Sequence, residues 1–163
     1  MPRLRPAAVG LALLVALTGC SGQPEETASR PAGPPAASTR AVDDVCALVP
    51  VARLRAAIGA DPGAGVPSKG PLNGGQCVWT VSTTRRVLAQ YTPQPDVFLP
   101  EGVVPRPRSA TEVRGATRGF AAGESGTVLV VKDRRGLLLK TVGFDGGDQA
   151  AYEALAEAIV ANL

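Results

Sequence analysis

Residues 21–39, SGQPEETASRPAGPPAAST, contain no valine, isoleucine, leucine or aromatic residue. Such a stretch cannot bury enough apolar surface to offset the entropy of ordering it. Whatever folds in this chain therefore folds after it, over residues 41–163. That leaves roughly 120 residues, enough for one hydrophobic core of modest size. Pro31, Pro34 and Pro35 favour extended polyproline geometry, and at about 3.1 Å per residue the segment spans about 60 Å when fully drawn out. It reads as a tether.

The residues before the tether have their own pattern. Arg3 and Arg5 precede an apolar run over residues 7–17. The run is too short for a membrane-spanning helix, which needs about twenty residues, but it suits the core of a signal peptide. Pro6 and Gly10 would be awkward in a stable buried helix. The run ends in Leu17-Thr18-Gly19-Cys20, which resembles the bacterial lipobox. The resemblance implies cleavage between Gly19 and Cys20 and a diacylglyceryl group on the Cys20 sulfur. Two acyl chains give stable attachment where one gives marginal attachment. The expected division is a signal peptide at 1–19, a lipidated cysteine and tether at 20–40, and an extracytoplasmic domain at 41–163. The expected address is the outer face of the cell membrane. An ordinary secretory signal with an incidental cysteine is the alternative.

This processing changes the charge. The whole chain carries +3 and has a pI of about 9.0, which in a compact domain would suggest nucleic acid. Removing residues 1–19 takes away Arg3 and Arg5 and leaves the rest close to neutral. The remaining basic residues are scattered, and Arg85-Arg86 and Arg134-Arg135 fall in expected hairpin turns, so no nucleic-acid partner is expected. Arginine far outnumbers lysine, and Ala, Gly, Val and Pro are abundant, a usage that suggests a high-GC bacterium such as an actinomycete. The chain has no histidine. Proton transfer near neutral pH usually falls to that residue, and its absence excludes Ser-His-Asp triads, Cys-His pairs and His-ligated zinc. No catalysis, cofactor or metal is expected.

Within the domain, Pro50 suits a first helical position, Val51, Leu54 and Ile58 follow at helical spacing, and Gly59 suits the stop. Residues 60–75, ADPGAGVPSKGPLNGG, read as a turn-rich loop. Residues 76–82 (QCVWTVS) alternate, with Cys77, Trp79 and Val81 on one face, and a polar turn leads to a second strand over 87–92. Residues 93–108 contain five prolines and take no clear assignment. Segments 127–132 and 137–144 predict a hairpin around Asp133-Arg134-Arg135-Gly136, with Gly136 supplying positive φ. Asp148 can cap a final helix, whose apolar stripe is Tyr152, Leu155, Ala156, Ile159 and Leu163, with Glu153 and Glu157 facing away. The predicted fold is α+β: a small antiparallel sheet of about four to six strands against a short N-terminal helix and a C-terminal helix, with one disulfide.

Assigning Cys20 to lipid leaves Cys46 and Cys77 as an even pair in an oxidising compartment. A redox-active pair is the alternative, but the chain has no CxxC and no basic helix start nearby to lower a thiol pKa. A structural bridge enclosing the Gly/Pro-rich loop is the expectation.

Together these parts resemble a family of actinobacterial lipoproteins, domain-of-unknown-function family 3558. The matching motifs are Cys46-Ala47-Leu48, the short helix ending Ile58-Gly59, the run Gly74-Gly75-Gln76-Cys77-Val78-Trp79, and the strand pair and Ala/Leu-rich helix over 127–163. The resemblance implies an extracytoplasmic α+β, sensor-like domain that binds rather than catalyses. Partners on this reading are the membrane, through the lipid anchor, and an envelope protein, polymer or small ligand.

Candidate contacts are Arg106, Arg108, Arg114 and Arg118, which would meet an anionic envelope polymer, and Trp79 as a ligand platform. Against these stand a solvated basic face and simple packing of Trp79 beside the disulfide. A second function class is a cell-envelope hydrolase using carboxylates from Glu101, Glu112, Glu124, Asp133, Asp145 and Asp148, if two of them come close. Asp145 and Asp148 supply too few ligands for an EF-hand-type calcium loop. A third class is a surface-complex protein that offers a strand for edge pairing.

Overall fold

The computed structural model describes residues 44–70 and 73–163. The expected signal peptide, Cys20 and the tether lie outside the described residues.

The domain is α+β. A 3-10 turn at Val45–Leu48 leads into helix α1 (Val51–Ile58). Strands β1 (Val66–Lys69), β2 (Gly75–Thr80) and β3 (Arg86–Thr92) follow, then the short helix α2 (Pro95–Phe98). Strands β4 (Thr111–Glu112), β5 (Arg118–Ala122), β6 (Thr127–Lys132) and β7 (Arg135–Val142) come next, and helix α3 (Gln149–Asn162) closes the chain. All seven strands form one antiparallel sheet in the order β1-β2-β3-β7-β6-β5-β4, somewhat larger than the expected four to six.

Register places Cys77, Ala89, Leu139, Val128 and Ala121 directly opposite one another across five strands. All five have no exposed surface, and this row forms the floor of the main core. Helices α1 and α3 pack against each other above it, with α3 against β5 and β6 and the 3-10 turn against β2 and β3. The expected α3 stripe is buried throughout, with Tyr152, Leu155, Ala156 and Ile159 fully enclosed. Both ends of α3 are satisfied. The Asp148 carboxylate accepts from the Ala150 N–H at 3.1 Å, and Lys132 Nζ donates to the Val160 carbonyl at 2.8 Å, a cation at the negative end of the helix dipole. The Cys46–Cys77 disulfide is present and spans 31 residues.

Several local expectations are corrected. Pro50 caps α1 from outside rather than opening it, and Val51 is exposed while Leu54, Ala57 and Ile58 carry the buried face. Gly59 ends the helix at φ 65° as expected. The loop at 60–75 contains the edge strand β1, whose Pro67 is tolerated where one side of a strand is unpaired. In the β6–β7 turn, Asp133 and Arg134 take the positive φ values of 46° and 65°. Gly136 instead sits inside β7, where a Cβ would meet Pro95 at 3.0 Å and Leu99 at 3.1 Å. Its lack of a side chain lets α2 lie close on the sheet.

The crossover explains the rest. Strand β3 pairs with β7, so the chain leaving β3 must pass β7, β6 and β5 to reach the far edge at β4. Residues 93–110 make that passage across the face opposite the helices. They cover a second cluster of Leu99, Phe120, Ala122 and Leu129, with Val104, Ala110 and Leu138 packed beside it.

Candidate functional site

The strap at 93–110 leaves a cleft of about 290 Å³ against the sheet, lined by Pro100, Val104, Phe120 and Leu129 with Glu101, Arg106 and Arg118 among its polar groups. Strand periodicity builds it. Arg118 and Phe120 are two apart on β5 and so share its outer face, and Phe120 stands opposite Leu129 of β6 on that face. A guanidinium and an aromatic floor are thereby fixed side by side.

The strap is tied down at both ends. Arg118 Nη2 donates to the Leu99 carbonyl at 2.6 Å. Arg106 reaches Glu112 at 3.2 Å and the Ala110 carbonyl at 3.3 Å, and the Ser109 hydroxyl donates to Glu124 at 2.8 Å. Arg106 is therefore committed to a carboxylate. Arg118 is half-buried and belongs to neither of the ion pairs found among the described residues, Arg55–Asp61 and Arg106–Glu112.

A smaller cleft of about 170 Å³ lies beside α3, where Glu112, Glu153, Glu157 and Arg114 converge around Thr111 and Ala121. Gln149 organises it. Its side-chain amide donates toward Thr111 Oγ1, the Ala121 carbonyl and Glu153, and its oxygen accepts from the Gly123 N–H at 2.8 Å. Hydrogen bonds from Gln149 and then Thr111 hold the Glu153 carboxyl below its ordinary value, with the Arg114 charge adding to them. That keeps Glu153 ionised, whereas a general acid needs a raised pKa.

A third depression of about 340 Å³, between Asn73, Gln94, Asp96 and Arg134, is polar and carries two prolines. Among the described residues no group of three or more His, Cys, Asp or Glu could hold a metal ion.

The sequence candidates are thus separated. Arg106 and Arg118 meet in the strap cleft, Arg114 lies in the carboxylate cleft, and Arg108 is exposed and lines neither. Together they do not make one basic face. Of the two readings of Trp79, packing beside the disulfide holds and the ligand platform does not: the residue has no exposed surface, and its indole shares the neighbourhood of Gly65 with both bridge sulfurs. Of the candidate carboxylates, Asp148 caps α3, Asp133 shapes a turn, Asp145 is exposed and Glu124 holds the strap. Glu112 comes together with Glu153 and Glu157, two residues whose positions in the sequence carry no catalytic signal. Phe120 and Leu129 were missed as site residues, and the signal that could have found them is the alternation Arg118, Phe120, Ala122.

Compared with protein-family models, curated proteins and solved structures, the chain matches none.

Proposed function

We propose that this chain is a membrane-anchored extracytoplasmic lipoprotein whose domain acts as a sensor-like binding module of the cell envelope, without catalysis. The observation that carries it is the strap cleft: an apolar floor beside a guanidinium whose charge no carboxylate of the described residues meets. Such a site holds a ligand in one orientation, since the apolar wall and the charge recognise different ends. The lipobox-like Leu17-Thr18-Gly19-Cys20 supports the reading, since a lipid on Cys20 would hold the domain at a membrane surface, and the absence of histidine narrows the chemistry available. In the carboxylate cleft the hydrogen bonds that lower the Glu153 pKa suit it to a base or nucleophile and not to the acid that a hydrolase also needs.

Membrane-extracted protein and a secreted Cys20→Ser variant test this side by side. Mass spectrometry of the mature N-terminal peptide reports a diacylglyceryl group on Cys20. Solvent extraction of the purified proteins, together with a pull-down from native membranes, reports small molecules and partners. An unlipidated N-terminus overturns the anchor, and two proteins that both recover neither a small molecule nor a partner overturn the binding module.

A further inference from the structure

We infer that the strap cleft takes a small amphipathic monocarboxylate, its acid group on Arg118 and its apolar body on Phe120, Leu129 and Val104; this rests on the binding-module reading above and names the ligand class for that site. Three observations carry it.

The first is the state of Arg118. A guanidinium has five N–H donors, and one of them, on Nη2, is spent on the Leu99 carbonyl. The rest belong to a half-buried cation without a carboxylate partner among the described residues. Partial burial removes water from a charge and raises the value of any anion that reaches it. The planar fork fits a carboxylate through two parallel hydrogen bonds.

The second is the charge count. Arg106, the other cation of the cleft, is already paired with Glu112, and Glu101 lines the same cleft with the opposite sign. Two guanidinium groups and two carboxylates leave the surroundings near neutral, and Arg118 is the guanidinium of the cleft outside an ion pair, with Glu101 opposing any anion that reaches it. One such group suits a monoanion, whereas a phosphate dianion would face Glu101 with half its charge unmatched.

The third is shape. Phe120 and Leu129, a cross-strand pair, are only 4% and 6% exposed and form the base of the cleft, whose lining also includes Pro100 and Val104. A space of about 290 Å³ lies at the small end of ligand sites. It accommodates a short acyl or aromatic acid and leaves no room for the paired long chains of a membrane lipid.

The test uses the full-length, isotope-labelled Cys20→Ser chain, titrated separately with octanoate, octylamine and octanol while backbone amide resonances are followed. Octanoate should shift the amides of Phe120 and of Gly102 and Gly119, which also line the cleft, saturably, and octylamine should not. Arg118→Gln should weaken octanoate at least about tenfold, the loss of a charged hydrogen bond, while Arg108→Gln leaves it unchanged. If Arg118→Gln loses its dispersed spectrum because Leu99 is no longer tied, the octanoate and octylamine contrast on the parent chain decides. Equal shifts from octanol or octylamine, or octanoate shifts confined to another surface, overturn the inference. Silence of the cleft toward all three probes, with a ligand still recovered from native membranes, overturns it while leaving the binding-module reading in place. Silence in both experiments retires both.

Discussion

Gly65 lies against Cys77 so closely that a Cβ at residue 65 would stand 2.6 Å from the Cys77 sulfur. The same atom would meet Trp79 Nε1 at 2.7 Å and the Cys46 sulfur at 2.9 Å. Bridge, indole and glycine therefore form one packed unit, with Cys77 and Trp79 fully enclosed. None of these atoms is the free end of a flexible chain, so relief must come from the backbone ahead of β1. Gly65→Ala should destabilise the domain by about 1–3 kcal/mol, the range for overpacking a well-filled core. Urea unfolding followed by Trp79 fluorescence measures it. A change below about 0.5 kcal/mol, the scale of an ordinary surface substitution, would mean the loop moves freely away from the bridge.

The bridge itself closes a loop of 31 residues around β1 and the first helix. In the chain-entropy model a loop of that length contributes about 3–4 kcal/mol, a large share of what a small domain has. Cys46→Ala/Cys77→Ala should lose about that much, and reductant should lower the midpoint of the parent chain but not that of the double variant. Equal midpoints for the parent chain with and without reductant would assign the stability to packing alone.

How much of this was legible depended on whether periodicity or topology carried it. The α3 stripe repeats Tyr152, Leu155, Ala156, Ile159 at helical spacing, and every member is buried. Strands β6 and β7 are apolar enough to stand out, and the turn between them was found although its positive φ falls on Asp133 and Arg134. Strand β1 was hidden because Pro67 and the glycines around it read as turn, and an edge strand needs little apolar signal when both its faces are exposed. Strand β5 was hidden by Gly119 and its alanines. Arg106 and Arg118 could be singled out by charge, but their meeting over Phe120 depends on β3 pairing with β7 and sending the strap across the sheet. That pairing is long-range, and no local pattern encodes it.

Acid should weaken the domain through Asp61 and Glu153. The Gly63 N–H, followed by Arg55, holds the Asp61 carboxyl below its ordinary 3.8, and Gln149, followed by Thr111, holds Glu153 below 4.5. A carboxyl depressed in the folded state stabilises above its unfolded pKa and loses that contribution as pH falls through the folded value. The melting temperature should therefore hold from neutrality to about pH 5 and decline below about pH 4.5. Glu153→Gln should make the decline shallower and Asp61→Asn/Glu153→Gln shallower still. Identical slopes for all three chains would show that neither carboxyl is held by these bonds in solution.

Tyr152 gives the opposite limb. Its ring is fully enclosed and its hydroxyl finds no hydrogen bond of good geometry in the core. Burial pushes the phenol above its ordinary value of 10.0, with the Thr141 side chain pulling the other way. A pKa raised by folding means stability that is intact below the unfolded value and lost as pH rises through the folded one, so the domain should unfold in strong alkali. Tyr152→Phe keeps the ring and removes a buried, unpartnered hydroxyl. It should leave stability unchanged or raise it by up to about 1 kcal/mol, and move alkaline unfolding to higher pH. The other tyrosine, Tyr91, is also raised by burial, with Arg135 opposing, so some alkaline sensitivity remains in the variant. Phenolate absorbance and far-ultraviolet circular dichroism, followed together through the alkaline range, check it. A Tyr152→Phe chain destabilised by more than about 1 kcal/mol would mean that the hydroxyl is partnered after all, since losing a made hydrogen bond costs about that much.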